Sequence, residues 1–377
     1  MSDLTNTAPK NSSFDRRSVL RAVAAAMAIP AVARATVAFA KDKLSGSGEV
    51  VVFGWGGSTT AAVRKNVFEP FTNATGIKVS DVTGDIAEPQ VKAMNQAGRV
   101  DWDIAPIQAS TYPAMSQAGM FVPIDYSLWD DESIEGVPKA VRLNDAFPVI
   151  QSGQVLAYDE RVFGKNGPKT WADFWNVKAF PGPRGLYAPI GKFSIIPALL
   201  ADGVAKTDIW PLTDDKIERA FKKLDEIKPH VTKWWTSGGE SGQLLTNREY
   251  VMTTAYEATI IVLARQGAPL RMVWDNTPVN YTYWTVLKGG PNNENAQKLI
   301  AFVNRAKIAA AWTLSLPEPG PNVHQLQYLP SDLVPLLSIS HPDSLIIEDS
   351  AWLGAMRPDG KTNYDHIQER WLAWRAR

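Results

Sequence analysis

The chain contains no cysteine in 377 residues, which excludes disulfides, thiol catalysis, cysteine-held iron–sulfur clusters and a lipid-modified N-terminal cysteine. Histidine is almost as scarce. The four are His230, His324, His341 and His366, with no H-E-x-x-H spacing among them, so the helical zinc site of a metalloprotease has no basis here. No G-x-S-x-G elbow presents a serine nucleophile, and no Tyr-Tyr pair offers oxygen ligands of the kind a ferric-ion receptor uses. Net charge is also missing, with 39 Lys and Arg against 39 Asp and Glu. Residues 1–40 hold five of the basic and two of the acidic groups, so the remainder is slightly acidic and nucleic acid is not an expected partner. After residue 40 no apolar run reaches the ~18 residues that a membrane-spanning helix needs.

Aromatic residues are what the chain has in excess. Hydrophobic residues at 45% and charged residues at 21% are ordinary globular values, but there are 14 tryptophans, which calls for an aromatic-lined surface. The length suggests two lobes with sizeable cores. At the start, Asp15-Arg16-Arg17-Ser18-Val19-Leu20-Arg21 leads into an alanine-rich apolar run closing on Ala38-Phe39-Ala40. This pattern predicts a twin-arginine export signal over residues 1–40 and a periplasmic product, soluble and not lipid-anchored.

The next segment reads β-α-β-α-β. Glu49 to Phe53 is a β-branched run broken at Gly54-Trp55-Gly56-Gly57-Ser58, Gly76 to Val82 a second strand, Glu88 to Gln96 a helix and Trp102 to Ile107 a third strand. In such parallel sheets ligands lie beyond the carboxyl ends of strands, which brings Trp55 and Ser58 together with Gln108 and Ser110. The glycines near Trp55 fit neither G-x-G-x-x-G nor a Gly-Lys-Ser/Thr ending, so a phosphate loop is not expected. Gln154 to Tyr158 is a strand that crosses into a second lobe, Thr170 a helix cap, Asp214 to Glu226 a charged helix, and Arg271 to Trp274 a strand returning to the first lobe. Asn293 to Arg305 and Tyr364 to Arg377 complete the helices.

The most informative stretch is Val231 to Glu257. If extended, it turns Trp234 and Trp235 to opposite faces. Trp234 suits the core and Trp235 the gap between lobes, with Ser237 on the turn behind it and Tyr256 and Glu257 at its end. The order of Phe53-Gly54-Trp55, Gly76-Ile77-Lys78-Val79, Trp102-Asp103-Ile104, Thr170-Trp171-Ala172-Asp173-Phe174-Trp175, Trp234-Trp235-Thr236-Ser237-Gly238 and Ala264-Arg265-Gln266-Gly267 resembles the spermidine/putrescine-binding protein family. These are ABC-transporter periplasmic receptors among the family 1 extracellular solute-binding proteins.

The resemblance implies an α/β, two-lobed type II periplasmic binding protein fold with interleaved lobes joined by hinge crossings. It implies a first lobe of residues 41–152 and 257–316 and a second lobe of 153–256 and 317–377, which includes the closing C-terminal helices. Implied partners are a small-molecule solute and an inner-membrane ABC permease. The expected protein is a monomer without cofactor, metal or catalytic turnover. Pocket positions implied by the resemblance are Trp55, Ser58, Gln108, Ser110, Trp235, Ser237, Tyr256 and Glu257.

Where polyamine receptors of this family carry acidic residues, this chain reads Tyr187-Ala188-Pro189-Ile190-Gly191-Lys192. A cation beside Lys192 requires an anionic group on the same solute. An amine that also carries a carboxylate, such as an ω-amino acid, would use Glu257 at one end and Lys192 or helix-start amides at the other, with Tyr283 as a further aromatic wall. The alternatives are an exported hydrolase or transferase, built on pairs such as Asp130-Asp131 or Asp214-Asp215, and a ferric-ion receptor on the same fold.

Overall fold

The structure, a computed structural model, describes residues 43–84 and 86–377; the expected export signal lies outside the described residues. The first lobe begins as the sequence rhythm predicts. β1 (Glu49–Gly54) buries Val50 and Val52 and pairs in parallel with β2 (Lys78–Thr83) on one side and β3 (Ile104–Gln108) on the other. Between them run α1 (Gly57–Val63), a π-helical turn at Arg64–Phe68, α2 (Glu69–Thr75) and α3 (Glu88–Ala97). Gly76 ends α2 with a φ of 82°, the left-handed conformation that glycine adopts without a Cβ clash. Then come α4 (Tyr112–Gln117), β4 (Phe121–Val122) and α5 (Asp131–Gly136), the last capped by the Asp130 carboxylate accepting from the Ser133 N–H.

β5 (Phe147–Asp159) ties the lobes together, and every one of its residues is buried. Phe147 to Gly153 pair antiparallel with a later strand in the first-lobe sheet, whereas Gln154 to Asp159 pair with strands of the second. The second lobe then builds α6 (Glu160–Phe163), α7 (Trp171–Trp175), β6 (Arg184–Tyr187), α8 (Lys192–Ala201) and α9 (Asp214–Ile227). Thr170 caps α7 in a reciprocal box with Asp173. β7 (Val231–Trp235), α10 (Gly238–Thr246), β8 (Met252–Tyr256), α11 (Glu257–Arg265) and β9 (Leu270–Val273) complete this lobe. β6 lies parallel between β7 and β8, and β8 pairs antiparallel with β5.

Two expectations shift at this point. The strand at Arg271 does not return to the first lobe: β9 pairs with Leu156–Asp159 of β5, and α11 packs beside it on the second sheet. The crossing expected at residue 257 comes instead at β10 (Thr277–Leu287), which pairs with both β5 and β3. After α12 (Asn293–Val303) and α13 (Ala306–Ser315), the chain also stays with the first lobe past residue 317. Asn322 donates to the Asn304 carbonyl at 2.8 Å, and Thr313 donates to Gln325 at 2.6 Å. β11 (Leu345–Ile347) adds to the start of β10, and α14 (Ser350–Gly354) packs against α4.

The chain closes with α15 (Asn363–Arg375) on the second lobe. Trp371 and Trp374 stack with ring centroids 5.3 Å apart, Trp234 meets both edge-on, and Phe221 stacks on Trp374. The indole N–H of Trp371 donates to the Ala188 carbonyl at 2.8 Å. A Cβ on Gly191 would lie 2.5 Å from that of Trp371, so only glycine allows this approach. The helix therefore anchors the loop between β6 and α8. Truncating Trp371 to alanine is expected to cost about 3–5 kcal/mol in urea unfolding; a variant as stable as the parent would show that α15 is not part of the second lobe's core.

Candidate functional site

The loops at the carboxyl ends of β6, β7 and β8 meet around four aromatic rings. Tyr187 stacks on Trp235 with centroids 4.2 Å apart, Tyr256 stands edge-on to both, and Phe193 closes the group against Tyr187 and Tyr256. Register explains the grouping, since Tyr187 and Trp235 are paired neighbours in the parallel sheet and point to the same face. Trp235 is wholly buried, yet its indole N–H has no partner. Gln154 is equally buried beside Tyr256, and neither end of its amide finds a good hydrogen bond. Buried polar groups without partners are costly, so they mark places where a ligand can supply the missing bonds.

Tyr256 and Glu318 are half-buried. Burial pushes the Tyr256 phenol well up, helped by Tyr187 and the nearby Glu318 carboxylate. Burial raises Glu318 as well, opposed by the Ser152 hydroxyl that donates to it at 2.8 Å. Tyr364, raised to about 12 by burial and by the Glu348 carboxylate, also feels Tyr187 and the first-lobe Glu88. Glu88 in turn accepts from the Gln108 N–H at 3.0 Å and from the Thr111 hydroxyl at 3.2 Å. Around Tyr364 the two lobes therefore come within electrostatic reach of one another.

Of the residues singled out in the sequence, Trp235 and Tyr256 are brought together, Lys192 borders their group through the Phe193 ring at 5.0 Å, and Ser237 is exposed on the turn after Trp235. Gln108 and buried Ser110 lie on the first-lobe rim by Glu88. Trp55 is half-buried and packs on the first-lobe core. Ser58 lies in α1, and its side chain is outside what the structure describes. Tyr283 joins Tyr112 and Tyr281 in a first-lobe aromatic cluster, with Glu348 and Ser350 beside its hydroxyl. The expectation that Trp234 is core and Trp235 free is revised: both are packed, one against α15 and the other in the ring group.

Glu257 is placed differently from its expected role. It is wholly buried at the start of α11, where Ser338 donates both its N–H at 3.0 Å and its hydroxyl at 2.9 Å to the carboxyl oxygens. Gly153, where β5 changes partners, lies against the same group. Burial pushes the Glu257 carboxyl well above its usual range, and the neighbouring Glu318 adds to the shift. The Glu257 side chain is thus already engaged within the protein, by Ser338 and beside Gly153, and is not free in the way its expected role requires. Lys192 is not free either: its ammonium donates to Glu348 in a buried ion pair. Glu348, Glu318, Gln154, Tyr364 and Tyr187 were not picked out as site residues in the sequence. Tyr187 opens the segment that carries Lys192, and Gln154 opens the strand that crosses between lobes.

Among the described residues no group of three acidic or histidine side chains is placed to hold a metal, and no helix is long and apolar enough to cross a membrane. The fold is that of a periplasmic-type binding protein. Residues 66–323 match the family model for bacterial extracellular solute-binding proteins, and the chain belongs to that family. It is 32% identical over 348 residues to the gamma-aminobutyric acid-binding protein of Pseudomonas aeruginosa, covering 90% of this chain and 95% of that one. It is 24% identical over 327 residues to spermidine/putrescine-binding periplasmic protein 1 of Haemophilus influenzae, covering 83% of this chain and 86% of that one. Among solved structures, a GABA receptor superposes with a TM-score of 0.77 at 26% identity, covering 86% of this chain and 97% of the other. These matches bear out the two-lobed type II fold and the solute-receptor family read from the sequence.

The state of Glu257 has a sign that can be measured. Its folded carboxyl keeps a proton that the unfolded one loses above its ordinary value of 4.5, so this group lowers stability as pH rises from there toward its folded value. Glu257→Gln removes that slope while keeping a neutral hydrogen-bonding group. The variant is expected to gain melting temperature relative to the parent as pH rises above the ordinary carboxyl value of 4.5. A difference that does not change with pH, together with loss of solute binding, would return Glu257 to the pocket as a charge.

Proposed function

We propose that this protein is the solute receptor of an ABC importer and that its solute is a short ω-amino acid of the γ-aminobutyric acid type, held between the lobes. The observation that carries the reading is the aromatic group of Tyr187, Phe193, Trp235 and Tyr256 beside a buried cation and a buried anion, Lys192 and Glu348. Ring faces cover an alkyl chain and attract an ammonium at ~0.5–2 kcal/mol per contact. Two opposite protein charges balance a solute that carries both signs. A diamine, by contrast, would place a second positive charge near Lys192, where like charges removed from water repel strongly. The names of the γ-aminobutyric acid-binding relatives agree with this class. In this reading the protein acts as a periplasmic monomer, delivers its solute to an inner-membrane permease, and leaves the solute chemically unchanged.

Thermal unfolding of the exported form against ω-amino acids, diamines and polyamines tests the assignment. A ligand at about 100 times its dissociation constant adds about 2.7 kcal/mol of stability, and 4-aminobutanoate or 5-aminopentanoate is expected to give such a shift. Stabilisation by putrescine or spermidine alone would contradict the solute class. Conversion of any of these compounds to product would contradict a receptor role.

A further inference from the structure

Resting on that reading of the solute, a finer assignment comes from how the two charges are mounted. Lys192 opens α8 in the second lobe, next to the Ala188–Gly191 loop pinned by α15. Glu348 follows β11, which pairs with the start of β10, and its own N–H donates to the Val279 carbonyl at 3.1 Å. The ion pair therefore joins the second lobe to the strand that enters the first-lobe sheet. Neither partner is fully satisfied. Glu348 Oε1 is buried without a hydrogen-bond partner, and the Lys192 ammonium, beyond its bond to Glu348, faces the rings of Phe193 at 5.0 Å and Tyr364 at 5.7 Å. A carboxylate oxygen lacking a donor and an ammonium with N–H groups turned to rings form two complementary half-sites.

We propose that the Lys192–Glu348 ion pair is the selectivity element of this receptor, Lys192 taking the carboxylate of a zwitterionic solute and Glu348 its ammonium. The charges then alternate, lysine to solute carboxylate and solute ammonium to glutamate, and the buried unit keeps no net charge. A zwitterion completes bonds that the pair leaves open. A monocarboxylate satisfies only Lys192, a monoamine only Glu348, and a diamine leaves Lys192 facing a second cation. Because the pair bridges lobes, the solute that fits it also completes the contact that holds them closed.

The test is titration calorimetry of the full exported chain and of Lys192→Met, Glu348→Gln and the double variant against 4-aminobutanoate, butanoate, butylamine and 1,4-diaminobutane, with circular dichroism to confirm folding. Each single variant is expected to bind 4-aminobutanoate at least about thirtyfold more weakly, through the loss of one charge-assisted contact. Lys192→Met is further expected to bind 1,4-diaminobutane more tightly than the parent does. A single variant leaves one buried charge unpaired and can fail to fold. The double variant removes both and is expected to fold, because replacing a whole buried pair is often tolerated. It decides the matter: it should lose the preference for 4-aminobutanoate over butylamine and butanoate. A double variant that holds 4-aminobutanoate within about threefold of the parent, with preference intact, overturns the role of the pair but leaves the receptor reading standing. A parent protein that binds no ω-amino acid overturns both.

Discussion

Both lobes depend on the pairing of β5 with β10, two long buried strands that each belong to more than one set of partners. Because Phe147 to Gly153 lie in one sheet and Gln154 to Asp159 in the other, any movement of one lobe against the other must bend the chain where β5 changes partners. The surroundings of that point are polar and buried. Glu257 holds Ser338 against Gly153, and Glu318 holds Ser152. Burial raises the carboxyls of both acids, and each is held by hydroxyl or N–H donors, as buried polar groups require.

Charge is concentrated a short way off, where the C-terminal segments return. The α15 tryptophans fix the loop that leads into Lys192, and β11 fixes Glu348. The terminal segments are thus part of the proposed site's scaffold: they set the position of one charge by packing and of the other by strand pairing. The aromatic walls come from the sheet itself, as neighbours on β6 and β7. A rigid wall with two charges anchored independently is the arrangement needed to measure both ends of one small solute.

Much of this was readable along the chain where the governing interactions are local. The β-branched runs before Gly54 and after Gly76, the Thr170–Asp173 cap and the amphipathic helix from Asp214 each carry their own signal, and each forms. Opposite faces for Trp234 and Trp235 followed from strand geometry alone. What escaped was set by distant partners. Glu257 looked like a ligand carboxylate because nothing near it in sequence shows that Ser338, 81 residues away, would engage it. Lys192 suggested an anionic solute group, yet its partner Glu348 lies 156 residues further on. The strand at Arg271 reads the same whichever sheet it joins, and only its register with β5 places it in the second lobe.

The central claim is that a zwitterionic solute sits among Tyr187, Trp235 and Tyr256 with its ends on Lys192 and Glu348. A crystal structure of the exported protein grown with 4-aminobutanoate tests this most directly. The account predicts solute density against those rings, with its carboxylate within hydrogen-bond distance of Lys192 Nζ and its ammonium within that distance of Glu348. Density bonded instead to Glu257, or seated on the Tyr283 cluster with the Lys192–Glu348 pair intact, would contradict it.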